Sequence, residues 1–198
     1  MNLRELLLIA LGGWTAIGAI GVTMSLVRGE RAKALRHLAW IAGIWAAYLA
    51  VLVGVSLFQP QKTVAIGKDQ CYDEMCFAVT SVEEVPGFLV HDGSRLVRVS
   101  IRITNHARGR SQSEKLIRAY LVDAQGRRWE ESTAISGVPL TARIAPGNSV
   151  VSEPVFKVAK DATGLGLVFT HGRRQPGLLV IGYSDSLLHR KTVVPLGR

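Results

Sequence analysis

The chain has 198 residues, 24 Lys/Arg against 15 Asp/Glu, and a net charge of +9, divided as +3 over residues 1–58 and +6 over residues 59–198. That basicity is compatible with nucleic acid, but no stretch interleaves aromatic and basic residues in the manner that stacks bases, so nucleic acid is not an expected partner. The 140 residues after Phe58 match the common size of one domain with its own core.

Leu6 to Val27 contains no ionisable side chain, and neither does Leu38 to Phe58. Runs of 22 and 21 residues would make about 32 Å of helix, the thickness of a bilayer's hydrocarbon core of about 30 Å, so both read as transmembrane helices, about 6–27 and 38–58. Between them Arg28, Arg31, Lys33 and Arg36 stand against one acid, Glu30. A short basic loop, 28–37, is expected in the cytoplasm by the positive-inside bias, which puts everything after Phe58 on the other side. The first run is longer than a signal-peptide core and carries no small-x-small cleavage site before Arg28, so a retained helix is expected.

Gly12, Ala16, Ala19 and Thr23 recur at spacings of four, three and four, and Ala39, Gly43, Ala46, Ala50 and Gly54 repeat the pattern. Small residues let helix backbones approach in lipid, so the two seams are expected to face each other, unless they reflect only the abundance of Gly and Ala in membrane helices. Trp40 belongs at the headgroup level. Trp14, Trp45 and Tyr48 lie deeper and are expected to pack on a neighbouring helix. Neither run carries the internal charge that marks a transport or proton path.

Pro60 ends the second helix, and residues 59–70 read as a tether to a domain spanning 71–198. Cys71 and Cys76 are the only two cysteines. A disulfide is the first reading in an oxidising compartment; a redox dithiol lacks the Cys-x-x-Cys spacing, and a metal site lacks further ligands near by. From Phe77 the pattern is one of strands. Phe77–Val82 stops at Pro86-Gly87, and His91-Asp92-Gly93 is a turn. In Leu96–Asn105, Val97, Val99, Ile101 and Ile103 alternate with Arg98, Ser100, Arg102 and Thr104, a strand with one buried face. Leu116–Val122, Arg128–Glu131 with Trp129 as a core residue, a weaker edge at 138–144, Val150–Val158, Leu165–Thr170, Leu178–Tyr183 and Thr192–Leu196 follow, with a helical turn at Lys160–Thr163. Seven to nine short strands between Gly, Pro and Asn turns indicate an all-β antiparallel sandwich.

Leu96–Asn105, Tyr120-Leu121-Val122-Asp123 with Gly126, Pro146-Gly147, and Val155-Phe156-Lys157-Val158 with Asp161 resemble a widespread bacterial family of uncharacterised extracytoplasmic domains, over residues 76–171. The resemblance implies an immunoglobulin-like, telokin-like sandwich, an outward location on a lipoprotein or membrane-tethered protein, and a binding role, with no catalytic residues to carry over.

No His spacing suited to a metal, no Gly-x-Ser-x-Gly elbow and no phosphate loop occurs, so no cofactor is expected. Ser132, His171 and Asp161 are the residues from which a triad would have to be assembled in space. Arg108, Arg110, Lys115, Arg118, Arg127, Arg128, Arg173 and Arg174 form a candidate patch for an anionic partner, a lipid headgroup or envelope polymer or acidic protein face, if they converge; otherwise they are a solvated surface. The expectation is a membrane-anchored, non-enzymatic immunoglobulin-like module that binds another envelope or membrane protein. An envelope hydrolase or redox enzyme, and an accessory subunit of a transport or signalling complex, are the alternatives.

Overall fold

A computed structural model describes residues 3–85, 93–132, 137–172 and 176–197. The expected turns at Pro86-Gly87 and His91-Asp92 lie outside them. The chain divides into two compact units, one of Met1–Pro60 with Arg173–Arg190 and one of Gln61–Gly172 with Lys191–Arg198. These boundaries differ from the expected division at residues 58 and 70, because a segment late in the chain groups with the helices.

In the first unit, α1 (Leu3–Val27) and α2 (Arg31–Phe58) are each long and apolar enough to cross a membrane. Gly29, at φ 74°, makes the turn between them. The expected loop 28–37 is therefore mostly the first two turns of α2. Lys33, Ala34, Leu35 and Arg36 are good helix formers, and Lys33 pairs with Glu30 one turn back at 3.1 Å.

The buried or half-buried positions include Leu8, Leu11, Thr15, Gly18, Val22 and Ser25 of α1, spaced three and four apart, and Ala34, Ile41, Trp45, Tyr48 and Leu52 of α2. Trp45 Nε1 donates to Thr15 Oγ1 at 3.0 Å. A Cβ at Gly18 would lie 2.9 Å from Ile41 Cδ1, so this glycine admits the isoleucine. The expected small-residue seams do not meet: Gly12, Ala16, Ala19, Thr23, Ala39, Gly43, Ala46 and Ala50 face outward, and no neighbour approaches Gly54. The contact face is set by bulky Trp45 and Ile41 fitting over Thr15 and Gly18, one position away from the seam.

Residues 178–183, expected as a strand, are a 3-10 helix at Pro176–Leu179 followed by turns through Gly182 at φ 68°. Their main-chain groups find partners on the helices in place of a sheet. Tyr48 Oη donates to Leu179 O at 2.5 Å and Arg4 Nη1 to Gly182 O at 2.9 Å. Ser56 and Ser186 hydroxyls meet at 3.0 Å, and His189 Nε2 lies 3.1 Å from Gln59 Oε1.

The second unit holds nine strands among the described residues, in two antiparallel sheets. One runs β1 (Gln70–Tyr72), β2 (Met75–Glu84), β3 (Ser94–Asn105) and β6 (Ser149–Ser152), with β7 (Val155–Ala159) also on β3. The other runs β5 (Arg128–Glu130), β4 (Arg118–Val122), β8 (Gly166–Thr170) and β9 (Val194–Pro195). The expected strand 150–158 is broken by Pro154, which has no N–H for the ladder, so β6 pairs with one half of β3 and β7 with the other. A bridge between Glu131 and Phe156 joins the two sheets at one side.

Val97, Val99, Ile101 and Ile103 are buried, as their alternation requires, against Leu121, Leu167, Phe169 and Val194 of the facing sheet. In β2 every residue from Met75 to Val79 is buried, so alternation is lost there, and the strand bulges between Val79 and Ser81. Trp129 is half-buried at the core margin. Residues 138–144 form turns and a single bridge, Ile144 to Gln112, and not an edge strand. The expected tether is held to the sandwich. Thr63 bridges Val193 in parallel, Val64 N donates to Val193 O and Val193 N to Lys62 O, both at 3.0 Å, and Gly67 N donates to Val79 O at 2.7 Å.

Candidate functional site

Strand β3 ends at Asn105, whose side chain is 0% exposed and organises the basic loop that follows. Nδ2 donates to Arg110 O at 3.1 Å and Ile144 O at 2.9 Å, and Oδ1 accepts from Ala107 N at 2.9 Å. Its backbone N donates to Asn148 O and its carbonyl accepts from Gly147 N, fixing the Pro146-Gly147 turn on the same residue. A buried amide satisfied on every side locks a loop that carries few apolar anchors of its own.

The loop is braced a second time. Cys71 and Cys76 form a disulfide between directly paired residues of the β1–β2 hairpin, S–S 2.00 Å. Glu74, in the turn of that hairpin, accepts from His106 N at 2.8 Å and takes the Gln112 side-chain amide. Tyr72 stands edge-on to His171 with ring centroids 4.4 Å apart, and His171 Nε2 is 3.6 Å from Glu114 Oε1. The hairpin, the 106–117 loop and the end of β8 thus meet at one end of the sandwich. The acids Glu74 and Glu114 are engaged by Gln112 and His171, whereas Arg108, Arg110, Lys115 and Arg118 are exposed. Four exposed cations on a fixed loop, against one exposed acid, Asp73, in the adjoining hairpin turn, present positive potential without having to be ordered on binding.

Arg127 does not join them: it lies past Val122, while Arg118 opens β4 four residues away, roughly 13 Å along the strand. Arg128, paired with Val122, reaches back along the strand toward Arg118. Arg127 is also committed. Its Nε donates to Asp123 Oδ2 at 2.8 Å, its Nη1 to Asp161 Oδ2 at 2.9 Å, and its guanidinium lies 5.4 Å from the Trp129 ring centroid. Asp123 Oδ1 also accepts the main-chain N–H of Gln125 and Arg127, at 3.0 and 2.8 Å. Burial pushes the Asp123 carboxyl up, but the bonds and charge of Arg127 outweigh it and hold it below the ordinary carboxylate value. Arg128 stacks 3.8 Å over the Tyr120 ring. Arg173 and Arg174 lie outside the described residues.

The residues considered for a triad have other partners: Asp161 pairs with Arg127, and His171 faces Glu114 and Tyr72. Among the described residues no three His, Cys, Asp or Glu converge as metal ligands. A cleft of about 440 Å³ is lined by Val82, Glu84, Arg95, Val97, Leu165 and Leu196, and Glu84 already occupies Arg95. The hub role of Asn105 has no signature in the sequence, because its partners lie 5 and 39 residues away. The Asp123 clip is partly readable from Asp-x-x-Gly-Arg, a turn with an acid at its first position.

No family model matches the chain, and no curated protein matches it. Solved structures do. An uncharacterised β-sandwich protein from Clostridium difficile aligns at 12% identity, covering 70% of this chain and 96% of that one, with a TM-score of 0.46. A secreted protein from Mycobacterium tuberculosis aligns at 10% identity over 69% and 98%, TM-score 0.46. The yjhA protein from Bacillus subtilis aligns at 19% identity over 67% and 98%, TM-score 0.42.

Proposed function

We propose that the chain is a membrane-anchored binding module. Helices α1 and α2 span the bilayer with the basic 28–37 segment in the cytoplasm, and an immunoglobulin-like sandwich of the telokin-like kind stands outside. The reading is non-enzymatic: the sandwich binds the acidic face of another envelope or membrane protein through the loop that carries Arg108 and Arg110. The observation that carries it is the locked loop itself, in which buried Asn105 and the disulfide hairpin hold exposed cations in one geometry while Glu74 and Glu114 are engaged by Gln112 and His171.

The test is in-cell photocrosslinking from positions 108 and 110, with exposed Lys160, on a different turn, as reference. The expected result is one protein adduct from 108 and 110, abolished by Lys115→Glu with Arg118→Glu, and none from 160. Equal adducts from all three positions would overturn the binding assignment. Orientation is read separately from Lys160→Cys in intact spheroplasts: labelling by a membrane-impermeant maleimide is expected, and protection until lysis would refute it.

A further inference from the structure

We propose that residues 176–190 form a lipid-contacting lobe of the anchor, seated against α2 within the outer leaflet. This rests on the reading of α1 and α2 as membrane-spanning. Thr15 sits beside Trp45 and Gly18 beside Ile41, so in this antiparallel pair Arg4 is level with about residue 56 of α2. Arg4 and Glu5, where charge resumes beyond the first apolar run, mark the headgroup level. Tyr48, whose hydroxyl holds Leu179 O, is then about 12 Å deeper, inside the hydrocarbon.

The lobe is built inside out for water. Asp185 is 2% exposed, and Ser186 and His189 are also buried, while Leu187 and Leu188 are 37% and 60% exposed. In water a turn of this composition would do the reverse. Leu188 adopts φ 59°, a left-handed conformation unfavourable for leucine, and in water its outward side chain would return nothing for that cost. Ser186 meets Ser56 and His189 meets Gln59, which places Leu187 and Leu188 just beneath the headgroup level, where the upper acyl chains supply the missing burial. Irregular backbone at such depth requires protein partners, and Tyr48 and Arg4 provide them to Leu179 and Gly182. The occupant of the leucine face is therefore lipid, continuous with the outward apolar faces of the two helices.

The experiment uses the full chain in phosphatidylcholine–phosphatidylglycerol vesicles, with its disulfide intact and a nitroxide at Leu188→Cys. References are Ile17→Cys, outward on α1, and Lys160→Cys on the sandwich. The expected result is several-fold protection from an aqueous nickel chelate at 188, smaller than that at the deeper position 17, with full nickel access at 160. Nickel access at 188 equal to that at 160, with 17 protected, would overturn the lobe and leave the anchor standing. Nickel access at 17 would overturn both. As a second measurement, Leu188→Trp in a chain with Trp14, Trp40, Trp45 and Trp129 changed to Phe is expected to be quenched by brominated acyl chains; absence of quenching refutes the proposal.

Discussion

Replacing Asn105 tests whether one buried amide holds the basic loop. Asn105→Ala deletes three hydrogen bonds; Ile144 O keeps its bond from Gln112 N, so the Ala107 N–H and the Arg110 carbonyl are the groups that lose most. At about 1 kcal/mol for each bond, with a further penalty for buried groups left unsatisfied, the loss is about 3–4 kcal/mol. Asn105→Asp is nearly isosteric but turns an oxygen toward two carbonyl oxygens, so at neutral pH it is expected to cost more than Ala. Acidification protonates that carboxyl, restores one donor and narrows the gap. The assay is urea unfolding of the detergent-solubilised chain, followed by Trp129 fluorescence in a background with Trp14, Trp40 and Trp45 changed to Phe. An Asp variant as stable as the parent at neutral pH would refute the reasoning, since it would mean that Nδ2 donates nothing of consequence.

Closing the short Cys71–Cys76 loop contributes about 2 kcal/mol in the chain-entropy treatment, so reduction is expected to lower the urea midpoint by that equivalent. Thiol labelling of the denatured chain is expected only after reductant. Because the Asp123 carboxyl titrates below its ordinary value of about 4, its stabilisation is complete above that pH and is lost as pH falls through the lowered value. Asp123→Asn is therefore expected to flatten the acid limb of a stability–pH curve measured by urea unfolding, and an unchanged limb would count against the clip. A Cβ on Gly166 would lie 2.3 Å from Val193 Cγ1, so Gly166→Ala is expected to cost about 1–3 kcal/mol in thermal unfolding, with partial recovery in Gly166→Ala/Val193→Ala.

The parts legible in the sequence are those whose environment imposes a one-dimensional pattern. Helices α1 and α2 are apolar along most of their length, and β3 must alternate because one face packs and the other is wet, so these elements could be read directly. Residues 178–183 also look like a strand, yet they lie on a helix, because whether an apolar run finds a sheet partner is decided elsewhere in the chain. The helix seam missed by one position for a similar reason: small residues permit close approach, but Trp45 and Ile41 determine where it occurs. The patch of cations could not be judged from the sequence, since Arg118 and Arg127 are close in number and sit at opposite ends of one strand. Asn105 was visible only as the last residue of β3.

The pairing of residues 61–64 with 191–193 has a bearing on biogenesis. Each of those bonds joins positions separated by about 130 residues. During synthesis, the apolar floor that Val194 and Leu196 cover stays open until they arrive, after the other described strands have emerged. A nascent chain stalled before them would be a sticky intermediate and a client for holding chaperones, and its maturation would be timed by the arrival of these residues and not by the appearance of the first sheet.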